Sequence, residues 1–410
     1  MNKLSVLINK MIHWRSIMLE TWRWFGPQDT VSLDNIKQAG AKGIVTSLHQ
    51  IPTGDVWTLP DILSRKNIIE EKDLEWSVIE SVPLHNDIKL RTGDFERHIE
   101  NYKTTIKNVG EAGIKTICYN FMPVVDWTRT NLSYSLPNQA QALRFEMSDF
   151  AAYDVYLLER ENAHLDYSVD LLAKAKKRFD LMSVEEKKLL EENIIAGLPG
   201  GEGSYSRDSI REAIAEFIQL GNEGMRRNLI LFLEAIIPTA EAAGVKMCIH
   251  PDDPPFSLFG LPRVVSTADD ARQLMNAVPS QSNGLTLCAG SFGARGDNDL
   301  VAIAKEFATH IHFVHLRNIK RESDGSFYES DHLDGDNDMI GLINALLDEQ
   351  ERRKAEGRLD DLIPMRPDHG HLMSDELTRN GINPGYSFTG RLKGLAELRG
   401  VIVALNSIRH

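Results

Sequence analysis

Four stretches in the second half of the chain each bring a residue able to hold a divalent cation to the end of an apolar run. They read Ile249-His250-Pro251-Asp252-Asp253-Pro254-Pro255, Thr286-Leu287-Cys288-Ala289-Gly290-Ser291, His312-Phe313-Val314-His315-Leu316-Arg317 and Pro364-Met365-Arg366-Pro367-Asp368-His369-Gly370-His371. One histidine closing a strand is usually a hydrogen-bonded loop residue, one cysteine a small buried hydrophobe, and one aspartate a turn cap. Ligand-type residues at four successive strand ends are much harder to obtain by accident. His250, Cys288, His315 and Asp368 are therefore assigned as metal ligands, and Cys248 and His312, inside their strands, as packing residues. Imidazole, thiolate and carboxylate donors bind several first-row divalent ions. A four-ligand zinc site is usually closed and structural, whereas catalysis needs open positions, which favours Mn²⁺ or Fe²⁺.

Groups fit for proton transfer and anion binding lie beside these ligands. His369 follows Asp368 directly, so its backbone is fixed beside the reaction centre. Tyr386, in Asn383-Pro384-Gly385-Tyr386, sits on a turn able to fold back over the site. Arg317 and Arg366 can neutralise a carboxylate by bidentate contact. His371 is expected to face solvent.

The elements that must position these residues alternate between short apolar runs and longer helical patterns, the signature of βα units and a parallel sheet. Strands are predicted at Thr21–Phe25, Gly43–His49, Trp76–Pro83, Thr116–Met122, Lys246–His250, Leu285–Ala289, Ile311–Leu316 and Leu362–Arg366. Helices are predicted at Leu33–Ala39, Pro60–Glu71, Phe95–Ala112, Arg226–Ala243, Asp269–Ala277, Asp297–Thr309 and Asp338–Ala355. Gly40, Gly113, Gly244 and Gly357 supply the residue that commonly closes a helix before the next strand. Eight strands closing on themselves give an α/β fold of the (β/α)₈, or TIM-barrel, kind. The chain lacks the GxGxxG and GxxxxGK[ST] turns that would point to an open, doubly wound sheet. The interval 124–224, between strands four and five, is too long for a simple crossover. It is predicted to be a helical insertion with elements near Phe150–Arg160 and Val169–Leu190 and a glycine-rich loop at Gly197–Gly203.

Bulk properties narrow the function further. The 410 residues suffice for one large domain, expected over 18–410, with 1–17 a dispensable extension and Met18 a possible start. A net charge of −13 disfavours nucleic acid and anionic membranes as partners. No run of about 18 apolar residues suggests a transmembrane helix. Three cysteines, Cys118, Cys248 and Cys288, are no disulfide framework and point to a reducing cytoplasm. A homo-oligomer, as a dimer, is expected.

Several stretches together resemble the mannonate dehydratase family of hexuronate degradation. They are Thr21-Trp-Arg-Trp-Phe-Gly-Pro27, Gly43-Ile-Val-Thr-Ser-Leu-His-Gln-Ile-Pro52 and Trp76-Ser-Val-Ile-Glu-Ser-Val-Pro83. The similarity continues through Tyr119-Asn-Phe-Met-Pro-Val-Val-Asp-Trp-Thr-Arg129, His250-Pro-Asp-Asp-Pro-Pro255, Arg366-Pro-Asp-His-Gly370 and Gly390-Arg-Leu-Lys-Gly394. It runs from about Thr21 to the C-terminus. The resemblance implies a xylose-isomerase-like barrel, Mn²⁺ or Fe²⁺, and conversion of D-mannonate to 2-dehydro-3-deoxy-D-gluconate and water. It puts the metal on His250, Cys288, His315 and Asp368 and acid/base work on His369 and Tyr386, with the base between these two left open. Arg23, Trp24, Asn120 and Arg129 lie at or just beyond strand ends and would contact the sugar chain, although packing or capping accounts for them almost as well.

The implied reaction suits these residues. A weak carbon acid at C2 loses its proton, the C3 hydroxyl leaves, and the charge gathered on the carboxylate needs electrostatic stabilisation. A metal-dependent sugar isomerase or epimerase would carry a more carboxylate-rich site, often with two metals. An endonuclease for abasic DNA would need a basic stripe. A non-catalytic sugar-acid sensor would need a partner domain.

Overall fold

In the computed structural model, which describes residues 17–195 and 206–409, short apolar runs close into a parallel barrel. Nearly all of the extension expected at 1–17 and all of the loop expected at 197–203 lie outside the described residues. The barrel strands are β1 (Leu19–Arg23), β2 (Gly43–Thr46), β3 (Glu75–Glu80) and β4 (Thr116–Tyr119). After two further strands, β5 (Asn131–Ser135) and β6 (Gln141–Phe145), come β7 (Lys246–Ile249), β8 (Asn283–Cys288) and β9 (Ile311–His315). A second pair, β10 (Ile319–Arg321) and β11 (Phe327–Glu329), precedes the last barrel strand, β12 (Pro364–Arg366). The closed order is β1-β12-β9-β8-β7-β4-β3-β2, every neighbouring pair parallel. Both faces of these strands are covered, which explains why they read as continuous apolar runs rather than as alternation.

Each of the eight predicted runs overlaps one barrel strand, with the ends displaced by a few residues. Local chemistry sets the flanking helices. Ser32, Thr58, Thr267 and Asp299 cap helices Leu33–Ala39, Leu59–Glu70, Ala268–Ala277 and Leu300–Glu306 with their side chains. The four helix-ending glycines all take positive φ, from 65° at Gly244 to 85° at Gly40. The barrel interior is filled by a layer of Val45, Val78, Cys118, Cys248 and Phe313, so Cys248 is a packing residue as expected. His312, one residue before Phe313, is likewise buried, and burial holds its imidazole neutral.

Two regions differ from expectation. The insertion is helical in Met147–Ala152, Val169–Leu181 and Val184–Ile195 but begins with the β5–β6 hairpin. That hairpin pairs with β10 and β11, from the loop after β9, in an antiparallel sheet of order β10-β11-β6-β5. Strands of three to five residues with polar, half-exposed positions carry little hydrophobic periodicity, so they left no sequence signal. Phe145 and Phe327 stack at 5.7 Å, and Arg144 pairs with Glu322 at 2.7 Å, joining the two excursions. The C-terminal helix Phe388–Arg409, also unanticipated, buries Arg391, Leu395, Leu398 and Ile402 against the barrel.

Candidate active site

Strand residues two apart point the same way, so the interior layer predicts what lies one step above it. Above Cys248 stands His250, above Phe313 stands His315, and above Thr286, whose hydroxyl meets the Cys118 sulfur at 3.1 Å, stands Cys288. By the same rule Val78 leads to Glu80, Val45 to Ser47 and Cys118 to Asn120. His250, Glu80, Ser47 and Asn120, with Arg23, Arg366, Asp368, His369 and Tyr386, line a pocket at the C-terminal ends of the strands, while His315 and Cys288 are fully buried outside that lining.

Ligand-capable atoms of His250, Cys288 and His315 all lie within 4.8 Å of one another. Asp368 stands outside this tight group, yet its Oδ2 is 3.8 Å from both His315 Nδ1 and Cys288 Sγ. Its backbone is left-handed, with φ 69°, and Arg366 Nη1 holds its other oxygen at 2.6 Å. His250 Nδ1 donates to Pro251 O at 2.7 Å, which leaves its Nε2 lone pair free and 3.3 Å from His315 Nδ1. Glu80 Oε1 lies 3.4 Å from His315 Nε2, which favours a proton on that nitrogen and a bare Nδ1. Two bare nitrogens at this distance repel unless a cation or a proton sits between them.

The electrostatics agree. Burial disfavours a charged His250, but the Cys288 sulfur outweighs it and raises the pKa to about 10. Burial, then Arg366, push His315 well below its usual value. Of the two facing imidazoles, His250 is therefore the one that carries a proton and His315 the one that accepts from it. A second group, His85, Asp87 and His98, is also ligand-like. Its imidazoles stack face to face at 4.1 Å and 15°, which sets their lone pairs side by side instead of at a common ion.

Around the centre lies a buried network of arginines and carboxylates. Arg366 pairs with Glu80 at 3.0 Å, and Arg23 reaches the same carboxylate at 3.2 Å. Burial alone would raise Glu80, but Arg366, His315 and Arg23 hold its carboxyl at about 2. Arg317 donates to Asp253 at 2.7 Å, to Glu329 at 2.9 Å and to Ser291 Oγ at 3.1 Å. Arg317 and Arg366 therefore line the pocket already engaged by protein carboxylates. Asn120 also lines it, its amide 3.4 Å from Asp126 Oδ2. Trp24 does not belong to that lining: it is buried, with the Arg65 guanidinium over its ring at 5.6 Å. Nor does Arg129, which is wedged between Trp127 and Phe327 and paired with Asp253 and Glu329.

His369 and Tyr386 meet directly, with Nε2 and the hydroxyl 3.2 Å apart. Burial raises the Tyr386 hydroxyl to about 12, keeping it protonated at neutral pH. Contrary to expectation, His371 is buried, its Nε2 donating to Glu329 O at 2.9 Å, because the side sheet covers the turn that carries it. Sequence reasoning missed Glu80, Asp253 and Glu329. The period-two register of β3 pointed to Glu80, and Asp253 sat unread within the His250–Pro255 stretch. Glu329 lies on a strand that gave no signal.

Known proteins resemble this chain in both sequence and fold. A family model described as D-mannonate dehydratase (UxuA) matches residues 18–410. The chain is 71% identical over 393 residues to the mannonate dehydratase of Saccharophagus degradans, covering 96% of this chain and 99% of that one. It is 55% identical over 385 residues to mannonate dehydratase 2 of Agrobacterium fabrum, covering 94% and 96%. The crystal structure of mannonate dehydratase from Streptococcus suis serotype 2 superposes with a TM-score of 0.75 at 34% identity, covering 96% of this chain and 94% of that one.

Proposed function

The chain belongs to the D-mannonate dehydratase family, and from that membership and the pocket's chemistry we propose how it eliminates water from D-mannonate to give 2-dehydro-3-deoxy-D-gluconate. The observation that carries the reading is the facing pair His250 Nε2 and His315 Nδ1, 3.3 Å apart, with Cys288 and Asp368 beside them and the His369–Tyr386 pair in the same pocket. His250, Cys288, His315 and Asp368 would hold one Mn²⁺ or Fe²⁺. Bound there, such an ion would supply Lewis acidity that stabilises the charge developing as C2 is deprotonated.

The remaining chemistry falls to the protein's own groups. His369 takes the C2 proton at Nε2, the atom that accepts the Tyr386 hydroxyl's hydrogen bond. Tyr386, protonated at neutral pH, gives its proton to the departing C3 hydroxyl, which leaves as water. The enol tautomerises to the 2-keto acid, and the 3.2 Å contact lets His369 return its proton to the Tyr386 oxygen. No electrons change hands, so no redox partner is needed. Arg23 and Asn120 are assigned to the sugar hydroxyls, while Arg366 holds the ligand Asp368 and Arg317 holds Asp253 and Glu329. The enzyme is expected to work in the reducing cytoplasm, since all three cysteines are buried free thiols, and to assemble as a homodimer.

Anaerobic turnover of D-mannonate with Mn²⁺ or Fe²⁺ tests this reading. Formation of 2-keto-3-deoxy acid, lost with chelator and in Cys288→Ala, is the expected result. A folded, metal-loaded protein that forms no product would overturn it.

A further inference from the structure

The antiparallel side sheet ends on a residue that the chemistry above leaves unused. Glu329 closes β11, and its buried carboxylate places Oε1 at 2.8 Å and Oε2 at 2.9 Å from His369 Nδ1. Arg317 Nη1 reaches the same group at 2.9 Å and Arg129 Nη2 at 3.2 Å. We infer that Glu329 is a positioning residue that keeps the His369 proton on Nδ1, leaving Nε2 as the only nitrogen able to take a proton from substrate. This rests on the base role assigned to His369.

The argument is one of donors and acceptors. Arg317 Nη1 also lies 3.0 Å from His369 Nδ1, a contact that would suit a bare nitrogen. A bare Nδ1 would, however, face lone pairs of both carboxylate oxygens within 2.9 Å, and Arg317 already has the carboxylate to donate to. The proton therefore belongs on Nδ1. The ring has little room to turn: the Tyr386 ring meets it edge-on at 4.9 Å and the Trp127 ring at 6.1 Å. Burial alone would raise the Glu329 carboxyl, but His369, Arg317 and Arg129 hold it near 2, so it stays charged and steadies the imidazolium formed during turnover. The side sheet thus gains a purpose. A strand from the β9–β12 loop, anchored on a hairpin from the β4–β7 insertion, aims one carboxylate at the back of the base.

Glu329→Gln is the test. The two arginines take the amide oxygen, the NH₂ donates to Nδ1, and the imidazole proton is driven to Nε2. Both arginines keep Asp253, at 2.8 and 2.7 Å, which holds the fold. We expect kcat to fall by about 10²–10⁴-fold, the contribution of one proton-transfer group, with KM little changed, and Glu329→Asp to recover part of the loss. In the chain loaded with diamagnetic Zn²⁺ and labelled with ¹⁵N-histidine, the His369 signals, assigned by their loss in His369→Asn, should show Nδ1 protonated in the wild type and Nε2 protonated in Glu329→Gln. Full turnover in Glu329→Gln, or a proton that stays on Nδ1, overturns the inference. If His369→Asn itself keeps normal turnover, it is the base assignment that fails; an inactive His369→Asn beside an active Glu329→Gln removes only the role of Glu329.

Discussion

His250 Nε2 and His315 Nδ1 face each other across 3.3 Å; the far nitrogen of His250 donates to Pro251 O, and Glu80 Oε1 lies 3.4 Å from the far nitrogen of His315. In the metal-free chain a proton on His250 relieves their repulsion, and its pKa is raised from 6.5 to about 10. The stability this proton contributes is fully present below 6.5 and is lost as pH rises through about 10. A metal ion entering near neutral pH must expel it. Metal affinity is therefore expected to rise with pH over this window, with about one proton released per ion bound. Titration calorimetry in buffers of differing ionisation heat measures that proton. An affinity flat across the window would show that the two nitrogens do not share the ion's place.

Glu80 controls the same centre from one shell out. Its carboxylate lies 3.4 Å from His315 Nε2 and binds Arg366 and Arg23. Glu80→Gln removes the charge that sets the His315 tautomer, and carboxylates in this position are typically worth about 10–100-fold in metal affinity. Competition against a chelating dye should show a loss of that size. Arg366 keeps Asp368 as a partner at 2.6 Å, so the barrel should still fold. Unchanged affinity would mean that packing alone orients His315.

How far this site could be read from sequence follows from the kind of signal each residue carries. His250, Cys288 and His315 were legible because each ends a continuous apolar run, and a parallel strand buried on both faces is the clearest pattern a chain can show. Glu80 was equally accessible in principle: it stands two residues past Val78, as His250 stands two past Cys248. It went unread because a lone glutamate is not a ligand type that draws notice. Glu329 was out of reach. It sits on a three-residue strand whose register comes from Phe145 and Arg144, some 180 residues away, and pairing at that separation leaves no local period. His371 was misjudged for the same reason, since the sheet that buries it was not foreseen.

Tyr386→Phe isolates the acid. The ring keeps its edge-on contact with Phe25 at 4.8 Å, so the change removes only the hydroxyl beside His369. Turnover should fall by about 10²–10⁴-fold while KM and metal content stay close to wild type. Steady-state kinetics with metal analysis on the same sample check both. A rise in KM at unchanged kcat would instead make Tyr386 a substrate contact.

Arg129 separates structure from binding. Its position after β4 suggested a sugar contact, yet its side chain is fully buried between Trp127 and Phe327, each ring 4.9 Å from the guanidinium. It neutralises Asp253 at 2.8 Å and Glu329 at 3.2 Å, groups that also hold Arg317. Arg129→Met keeps the length and apolar bulk but leaves the two carboxylates sharing one cation. Breaking a buried pair by removing one partner costs about 3–5 kcal/mol, and the upper half of that range is expected because two acids lose the same base. The urea midpoint of the variant should fall accordingly. With substrate not touching Arg129, KM should move less than stability does, and any loss of kcat should follow from the displacement of Glu329. A large rise in KM in a variant as stable as the wild type would restore Arg129 to the substrate.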